Sequence, residues 1–408
     1  MQKARTVKGG VAAAKGFRVA GVAAGVRRSG RNDVAVIFAD APCETAAVFT
    51  TNKVAAAPVL RDRALLKGGV GSMRAIVANS GFANACTGDT GLRDAELCAM
   101  VAAGELGVKP GEVLVASTGV IGRRLPADRV AAGVKAAAKV LGSTYAHGLA
   151  AAQAVMTTDT KPKQACAKTE IGGKTVTVGG MTKGSGMIEP NMATMLGFIT
   201  TDAAISRRML RKALLAALAK SFNRVVVDGD ESTNDSLFLM ASGAAGNPRI
   251  EKEGPDYDAF LDALETVCVS LAKQMAADGE GATKFVTVTV KGAKSAKDAE
   301  LAARAVARSP LAKTSWYGRD PNWGRVLAAV GYSGADVSDM KSEVFYDRVW
   351  AFRRGEVAGE AQLKKLEAVM KKPSFTVTVD LHLGDYDCTI YTCDISNEYV
   401  HINADYTT

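Results

Sequence analysis

The stretch MTKGSGMIEPNMATMLGFITTD, Met181 to Asp202, brings a lysine, a glutamate and several glycines up to a threonine, Thr194, where the chain turns apolar and β-branched. A threonine hydroxyl is a poor nucleophile unless a base takes its proton. No histidine stands near it in sequence, the three being His147, His382 and His401. One arrangement draws the base from the chain itself. Cleavage of the peptide bond before the threonine frees its α-amine, whose unperturbed pKa of ~7.7–8.0 suits proton transfer near neutrality. Ala193 fits that reading, because its small side chain leaves the scissile carbonyl open to the neighbouring hydroxyl.

Four other constellations carry polar chemistry. In STGVIGR, Ser117 to Arg123, Gly119 and Gly122 let backbone N–H groups face outward and Thr118 adds a hydroxyl, a combination suited to an oxyanion or a phosphate. An ordinary strand-to-helix turn would look the same. In VVVDGDESTNDS, Val225 to Ser236, four carboxylates follow a strand; the loop lacks EF-hand spacing, and a loop satisfied by its own Asx and Ser/Thr hydrogen bonds is favoured over a cation or nucleotide site. ADGEGATKF places Glu280 between two glycines, close enough to the backbone turn to meet a cationic ligand, although a helix C-cap needs only Gly279. GRDPNWGRVLAAVG crowds Arg319, Asp320, Asn322 and Trp323 at a helix start, where an Asp or Asn cap is the simple account.

The elements that must position these groups alternate in character. Residues 33–38, 74–78 and 113–117 read as short strands, and 92–105, 126–141 and 147–156 as alanine- and leucine-rich helices. Ser206 caps a helix with leucines at 210, 214, 215 and 218, and RVVVDG follows as a strand. Then come a long helix over about 256–277, the alternating strand KFVTVTVKG, a helix near 295–308, and FTVTVDLHL and CTIYTCDI joined by GDYD in the manner of a hairpin. The pattern predicts an α/β (α+β layered) fold, helices packed on mixed or antiparallel sheets rather than a doubly wound parallel sheet.

Composition narrows the class. The chain has 408 residues, 48% of them hydrophobic, enough for a sizeable core. No run of 18 apolar residues suggests a membrane span, and no signal-peptide pattern opens the chain, so a soluble cytoplasmic protein is expected. The formal charge is +9, and the first 32 residues hold eight of the basic side chains with no carboxylate. They lack interleaved aromatics and a helical apolar face, which argues against nucleic acid. Seven scattered cysteines without a C-x-x-C pair argue against structural zinc and for reduced thiols, and no metal is expected.

The run KGSGMIEPNMATMLGFITTD resembles the self-processing segment of the ornithine acetyltransferases (glutamate N-acetyltransferases) of arginine biosynthesis. AAKGFRVAGVAAGVR, VFTTNKVAAAPV, NSGFANACTG, STGVIG, VDGDESTNDS, GRDPNWGRVLAAVG and YVHINADYTT are similar to the corresponding blocks of that family, in the same order and over nearly the whole chain. Phe82 and Glu231 depart from the usual family residues, neither at an expected catalytic position. The resemblance begins by about Gly10 and leaves little room for a removable transit peptide.

The resemblance implies an N-terminal-nucleophile-like architecture cut between Ala193 and Thr194, with residues 1–193 as an α chain and 194–408 as a β chain. It implies Thr194 as nucleophile and Thr118 with Gly119 as oxyanion hole. Thr157, Lys183, Glu280, Asn403 and Thr408, with Thr194 itself, are the implied substrate-binding set. Lys183 suits a substrate carboxylate and Glu280 an ammonium group. The implied reaction moves acetyl from N-acetylornithine to glutamate through an acetyl-threonine, in an assembly of two α and two β chains. No cofactor is expected, and whether acetyl-CoA also serves as a co-substrate stays open. A self-processing aminopeptidase of related fold is the nearest alternative. The end of the chain, with Asn403 and Thr408 against substrate, is expected to be buried rather than frayed.

Overall fold

The computed structural model describes residues 3–27, 30–189 and 195–405. Ala193, Thr194 and Thr408 lie outside the described residues. Helices cover two mixed sheets, as the alternation of elements predicts.

Among the described residues the first sheet has nine strands. From one edge they run Arg5–Thr6, Lys163–Ile171, Lys174–Lys183, Leu196–Thr201, Ser236–Ala241, Val34–Phe49, Val70–Phe82 and Val113–Val120, with Phe17–Val22 added along Val34–Phe49. Most neighbours are antiparallel. The Leu196–Thr201 and Ser236–Ala241 pair is parallel, as is Val70–Phe82 with Val113–Val120. Fully buried strands need not alternate, and all six residues of LGFITT are buried. Phe198 and Phe238, cross-strand partners, stack with ring centroids 5.7 Å apart.

The helix Arg207–Lys220 starts where the sequence places it, Ser206 accepting from the Met209 amide, and buries Leu210, Leu214 and Leu218 against this sheet. Each such side chain contributes about 1.5–3 kcal/mol. Pro255–Ala277 packs on Lys163–Ile171 and Lys174–Lys183 and reaches the second sheet at Cys393. Ala57–Leu65 and Tyr145–Ala154 pack on the first sheet through the core that holds Ile37 and Ile76, and Gly88–Leu106 and Ala127–Lys139 pack against each other and through a separate core that holds Val36 and Val77. No described helix is long and apolar enough to cross a membrane.

The second sheet runs Glu356–Val357, Val349–Arg353, Glu343–Tyr346, Ser374–Asp380, Phe285–Ala293, Tyr386–Cys393, Val225–Val226. This corrects the hairpin expected from FTVTVDLHL and CTIYTCDI. Phe285–Ala293 lies between those two strands, parallel to Ser374–Asp380 and antiparallel to Tyr386–Cys393. Val286, Val288 and Val290 are all fully buried, so this strand belongs at the centre of the sheet with both backbone edges paired. The connection passes around its end, where the amides of Leu383 and Gly384 donate to the Gly292 carbonyl. RVVVDG keeps only Val225–Val226 as strand. In GRDPNWGR, Asn322 caps Trp323–Gly331 by accepting from the Arg325 amide, as expected.

Candidate active site

Lys183 ends its strand opposite Leu196, and Leu196 pairs on its other edge with Ser236. Three chain segments of the first sheet therefore reach one point, where a cavity of about 240 Å³ opens. Its wall brings together Thr118, Gly119, Thr157, Lys183, Glu280 and Asn403, gathered from distant parts of the chain. Met195 and Leu196 line it too, so the residue that follows Thr194 is at the cavity.

Thr118 and Gly119 stand near the end of Val113–Val120. Gly119 has φ +129°, and a Cβ there would lie 2.2 Å from the carbonyl carbon of Gly81 on the paired strand. Only glycine fits that conformation and that approach. Asn234 holds the region down, its amide donating to the Ala83 carbonyl at 2.6 Å and the Ser117 carbonyl at 2.8 Å.

Lys183 is buried and donates to the Thr118 hydroxyl at 3.2 Å. Burial pushes its ammonium below the usual lysine range, with Asp159 opposing and Lys163 adding to the fall. Asp159 accepts from Lys163 at 2.7 Å and from the amides of Gly184 and Thr157 at 2.8 and 3.0 Å. Burial alone would raise its pKa, but Lys163 and Lys183 outweigh that and bring it down to about 2. Lys163 also binds Asp278 at 2.5 Å. This Asp159–Lys163–Asp278 cluster ties the Thr157 segment, the Lys183 turn and the end of the long helix together. Sequence reading missed it, because its members are local only in space.

Glu280 follows that helix. Its amide donates to the Ser185 carbonyl at 2.9 Å, and Gly186 has no Cβ because one would sit 2.3 Å from the Glu280 carboxyl carbon. Gly186 of KGSGM thus lets the loop close over the glutamate. Asn403 donates to Glu280 Oε2 at 2.9 Å. Asn403 and Tyr399 sit at i and i+4 on the helix Asn397–Asp405 and share the face toward the cavity. That helix has no buried residue. The expected burial of the tail is therefore corrected over its described part: the helix stands on the rim, with one face over the opening and the rest in water.

The acidic loop is hydrogen-bonded, as favoured from sequence, but it also lines the cavity. Asp228 accepts from the amides of Met187 and Ile188 at 2.7 and 2.8 Å. Burial moves its carboxyl up to about 6, against those amides. Glu189, 1% exposed, is held by Arg304 and Arg308, which anchors the last described residue before the segment that carries Ala193 and Thr194. Among the described residues no three His, Cys, Asp or Glu side chains cluster as metal ligands.

Known proteins repeat this chain along its length. The ArgJ family model matches residues 18–408. The "Arginine biosynthesis bifunctional protein ArgJ" of Symbiobacterium thermophilum is 50% identical over 402 residues, covering 98% of this chain and 99% of that protein. The protein of the same name from Geobacter sulfurreducens is 51% identical over 394 residues, 97% of this chain and 99% of that one. A "Glutamate N-acetyltransferase" of Methanocaldococcus jannaschii is 45% identical over 413 residues, 99% of this chain and all of that one. Among solved structures, the arginine biosynthesis bifunctional protein ArgJ of Bacillus halodurans is similar at 40% identity with a TM-score of 0.50, covering 52% of this chain and the whole of that chain. Resemblance read from short blocks and similarity measured over nearly the full length agree, and the chain belongs to the ArgJ family.

Proposed function

We propose that this protein is an arginine-biosynthesis acetyltransferase that moves acetyl from N-acetylornithine to glutamate through an acetyl ester on Thr194, after the chain cuts itself between Ala193 and Thr194. The convergence of Thr118, Gly119, Lys183, Glu280 and Asn403 on one cavity beside Met195 carries the reading. A zwitterionic acetylated amino acid needs a mixed lining, with Lys183 for a carboxylate and Glu280 for an ammonium group. Thr194 Oγ attacks the acetyl carbon, its own α-amine serving as base, and Thr118 with Gly119 stabilises the oxyanion in both half-reactions.

Strand pairing supports the two-chain form. Lys174–Lys183 pairs with Leu196–Thr201, and Val34–Phe49 with Ser236–Ala241, so fragments 1–193 and 194–408 share one sheet and stay together after cleavage. Residues 194–408 are a little over half of the chain, and the solved Bacillus halodurans chain aligns in full with 52% of it. We extend the proposal to an assembly of two α and two β chains, measurable by light scattering.

Purified protein given N-acetylornithine and glutamate should release ornithine and N-acetylglutamate with parallel-line, ping-pong kinetics. Mass spectrometry should find fragments 1–193 and 194–408, and Thr194→Ala should stay one chain. An intact wild-type chain in active protein would sink the mechanism. The relatives' names divide between "bifunctional" and "Glutamate N-acetyltransferase"; glutamate with acetyl-CoA and no acetylornithine decides whether this chain takes a second donor. No other cofactor enters the proposed cycle.

A further inference from the structure

Among the described residues, four carboxyl side chains line the cavity: Asp228, Asp230, Asp235 and Glu280. Asp228 accepts backbone amides on both oxygens, Asp230 is exposed to water, and Glu280 accepts from Asn403. Asp235 differs from all three. It is 2% exposed, and its buried Oδ2 has no hydrogen-bond partner among the described residues. A buried acceptor left unmatched is costly, and in a cavity wall it points to a group that a ligand supplies.

Its place in the sheet is as informative. Asp235 directly precedes Ser236, the partner of Leu196, whose other partner is Lys183. Asp235 and Lys183 thus flank, from the two neighbouring strands, the chain at Met195. The charges that face Asp235 are Lys183 across the cavity and Glu231 from its own loop. Burial holds its carboxyl well above the usual range; the Ser232 hydroxyl, Lys183 and the Met195 backbone oppose this, and Glu231 adds to it.

Acetyl exchange between amino acids has a proton problem that an acyl-threonine alone does not solve. The donor's product leaves as an ammonium ion, and the acceptor arrives as one. We propose that Asp235 is a catalytic proton shuttle, giving a proton to the departing amine and taking one from the arriving ammonium group. This rests on the acetyl transfer proposed above.

In the first half-reaction the Oγ–acetyl bond forms and the acetyl–nitrogen bond breaks. The Thr194 hydroxyl proton reaches the departing nitrogen through the α-amine, and Asp235 adds a second. Ornithine leaves as an ammonium ion and Asp235 is a carboxylate. In the second half the carboxylate takes one proton from the glutamate ammonium group, and the freed amine attacks the ester. The proton lost as the new amide forms returns through the α-amine to Thr194 Oγ as the ester bond breaks. Asp235 ends the cycle protonated, as it began.

p-Nitrophenyl acetate tests this, because nitrophenolate leaves without a proton. Asp235→Asn should acetylate Thr194 from p-nitrophenyl acetate as fast as wild type but from N-acetylornithine ~100-fold slower. Hydroxylamine, neutral at pH 7, should discharge the variant's acetyl-enzyme at the wild-type rate, while glutamate discharges it slowly and recovers as pH rises. Equal losses with both donors, or no loss with either, would overturn the proposal. Should Asp235→Asn fail to fold or cleave, wild type carries the test: an alkaline fall in acetylation rate must appear with N-acetylornithine and be missing with p-nitrophenyl acetate, and a shared profile overturns the shuttle. Wild-type enzyme that accepts p-nitrophenyl acetate but never N-acetylornithine would instead defeat the functional reading.

Discussion

Two buried lysines sit on neighbouring strands of one hairpin, and they do opposite things. Lys163, 2% exposed, pairs opposite Thr182, the residue before Lys183. It has two carboxylates, Asp159 at 2.7 Å and Asp278 at 2.5 Å, and its charge is matched. Lys183, 9% exposed, is also buried, but its described hydrogen bond goes to a neutral hydroxyl, and burial lowers its pKa. Asp159, Asp235 and Glu280 favour its charge, but among the described residues none is in direct ion-pair contact with it, and a buried cation held that way is costly and persists where something else needs it. The difference separates a clamp from the binding group proposed above: Lys163 holds three segments in place, and Lys183 reaches the cavity wall with no carboxylate in direct contact among the described residues.

Replacing each lysine by methionine sets the two roles against each other. Lys163→Met leaves Asp159 and Asp278 buried without their partner and should cost about 3–5 kcal/mol of stability, read from urea unfolding. Lys183→Met removes a cation that burial already disfavours, so its stability should change little. Its kcat/KM for N-acetylornithine should fall ~100-fold or more, the scale on which charge-assisted contacts to a transition state act. Equal stability losses in the two variants would break the distinction, as would full activity in Lys183→Met.

Acid sharpens the same contrast. The Asp159 carboxyl, at about 2 in the folded protein against 3.8 for the ordinary group, has a depressed pKa. Its contribution is therefore fully present above about pH 4 and is lost as pH falls toward 2. The linked stability is about 2 kcal/mol. Unfolding curves between pH 5 and 2 should show this slope in wild type, and it should shrink in Asp159→Asn. An unchanged slope would mean that other carboxyls govern acid unfolding.

Sequence made the elements legible where periodicity is local. The leucines of 210, 214 and 218 and the valine alternation of 286 to 290 specify a helix face and a core strand without reference to anything distant. Partner choice was less legible: FTVTVDLHL and CTIYTCDI look like a hairpin because nothing within them says that a third strand, Phe285–Ala293, takes the place between them. The site divides in the same way. Thr118 and Glu280 stood out through the glycines beside them and Lys183 through the family resemblance, and the structure shows the close approaches that Gly119 and Gly186 permit. Asp159, Lys163 and Asp278 carry no such mark, since an aspartate and a lysine in TTDTKPK read as a solvated loop until the long helix brings Asp278 beside them. Asp235 was visible only as one acid of a loop.

The smallest effect concerns the rim. Asn403 is exposed and donates a single described side-chain bond to a partner side chain, Glu280 Oε2 at 2.9 Å. Unlike Lys163, it stabilises no buried charge cluster, and unlike Lys183 it carries no charge of its own. Its effect on the reaction should run through the orientation of Glu280. A hydrogen bond to a charged group contributes about 1.5–3 kcal/mol where it is fully made, and exposure reduces that figure. Asn403→Ala should therefore raise KM for N-acetylornithine about tenfold, leave kcat within a few-fold, and leave both urea unfolding and cleavage before Thr194 unchanged. Asn403→Asp places a like charge against Glu280 and should raise KM further. A variant that lowers kcat with KM intact would move Asn403 from positioning the glutamate to the chemical step, and one that unfolds more easily would show that the rim helix shares the clamp's role.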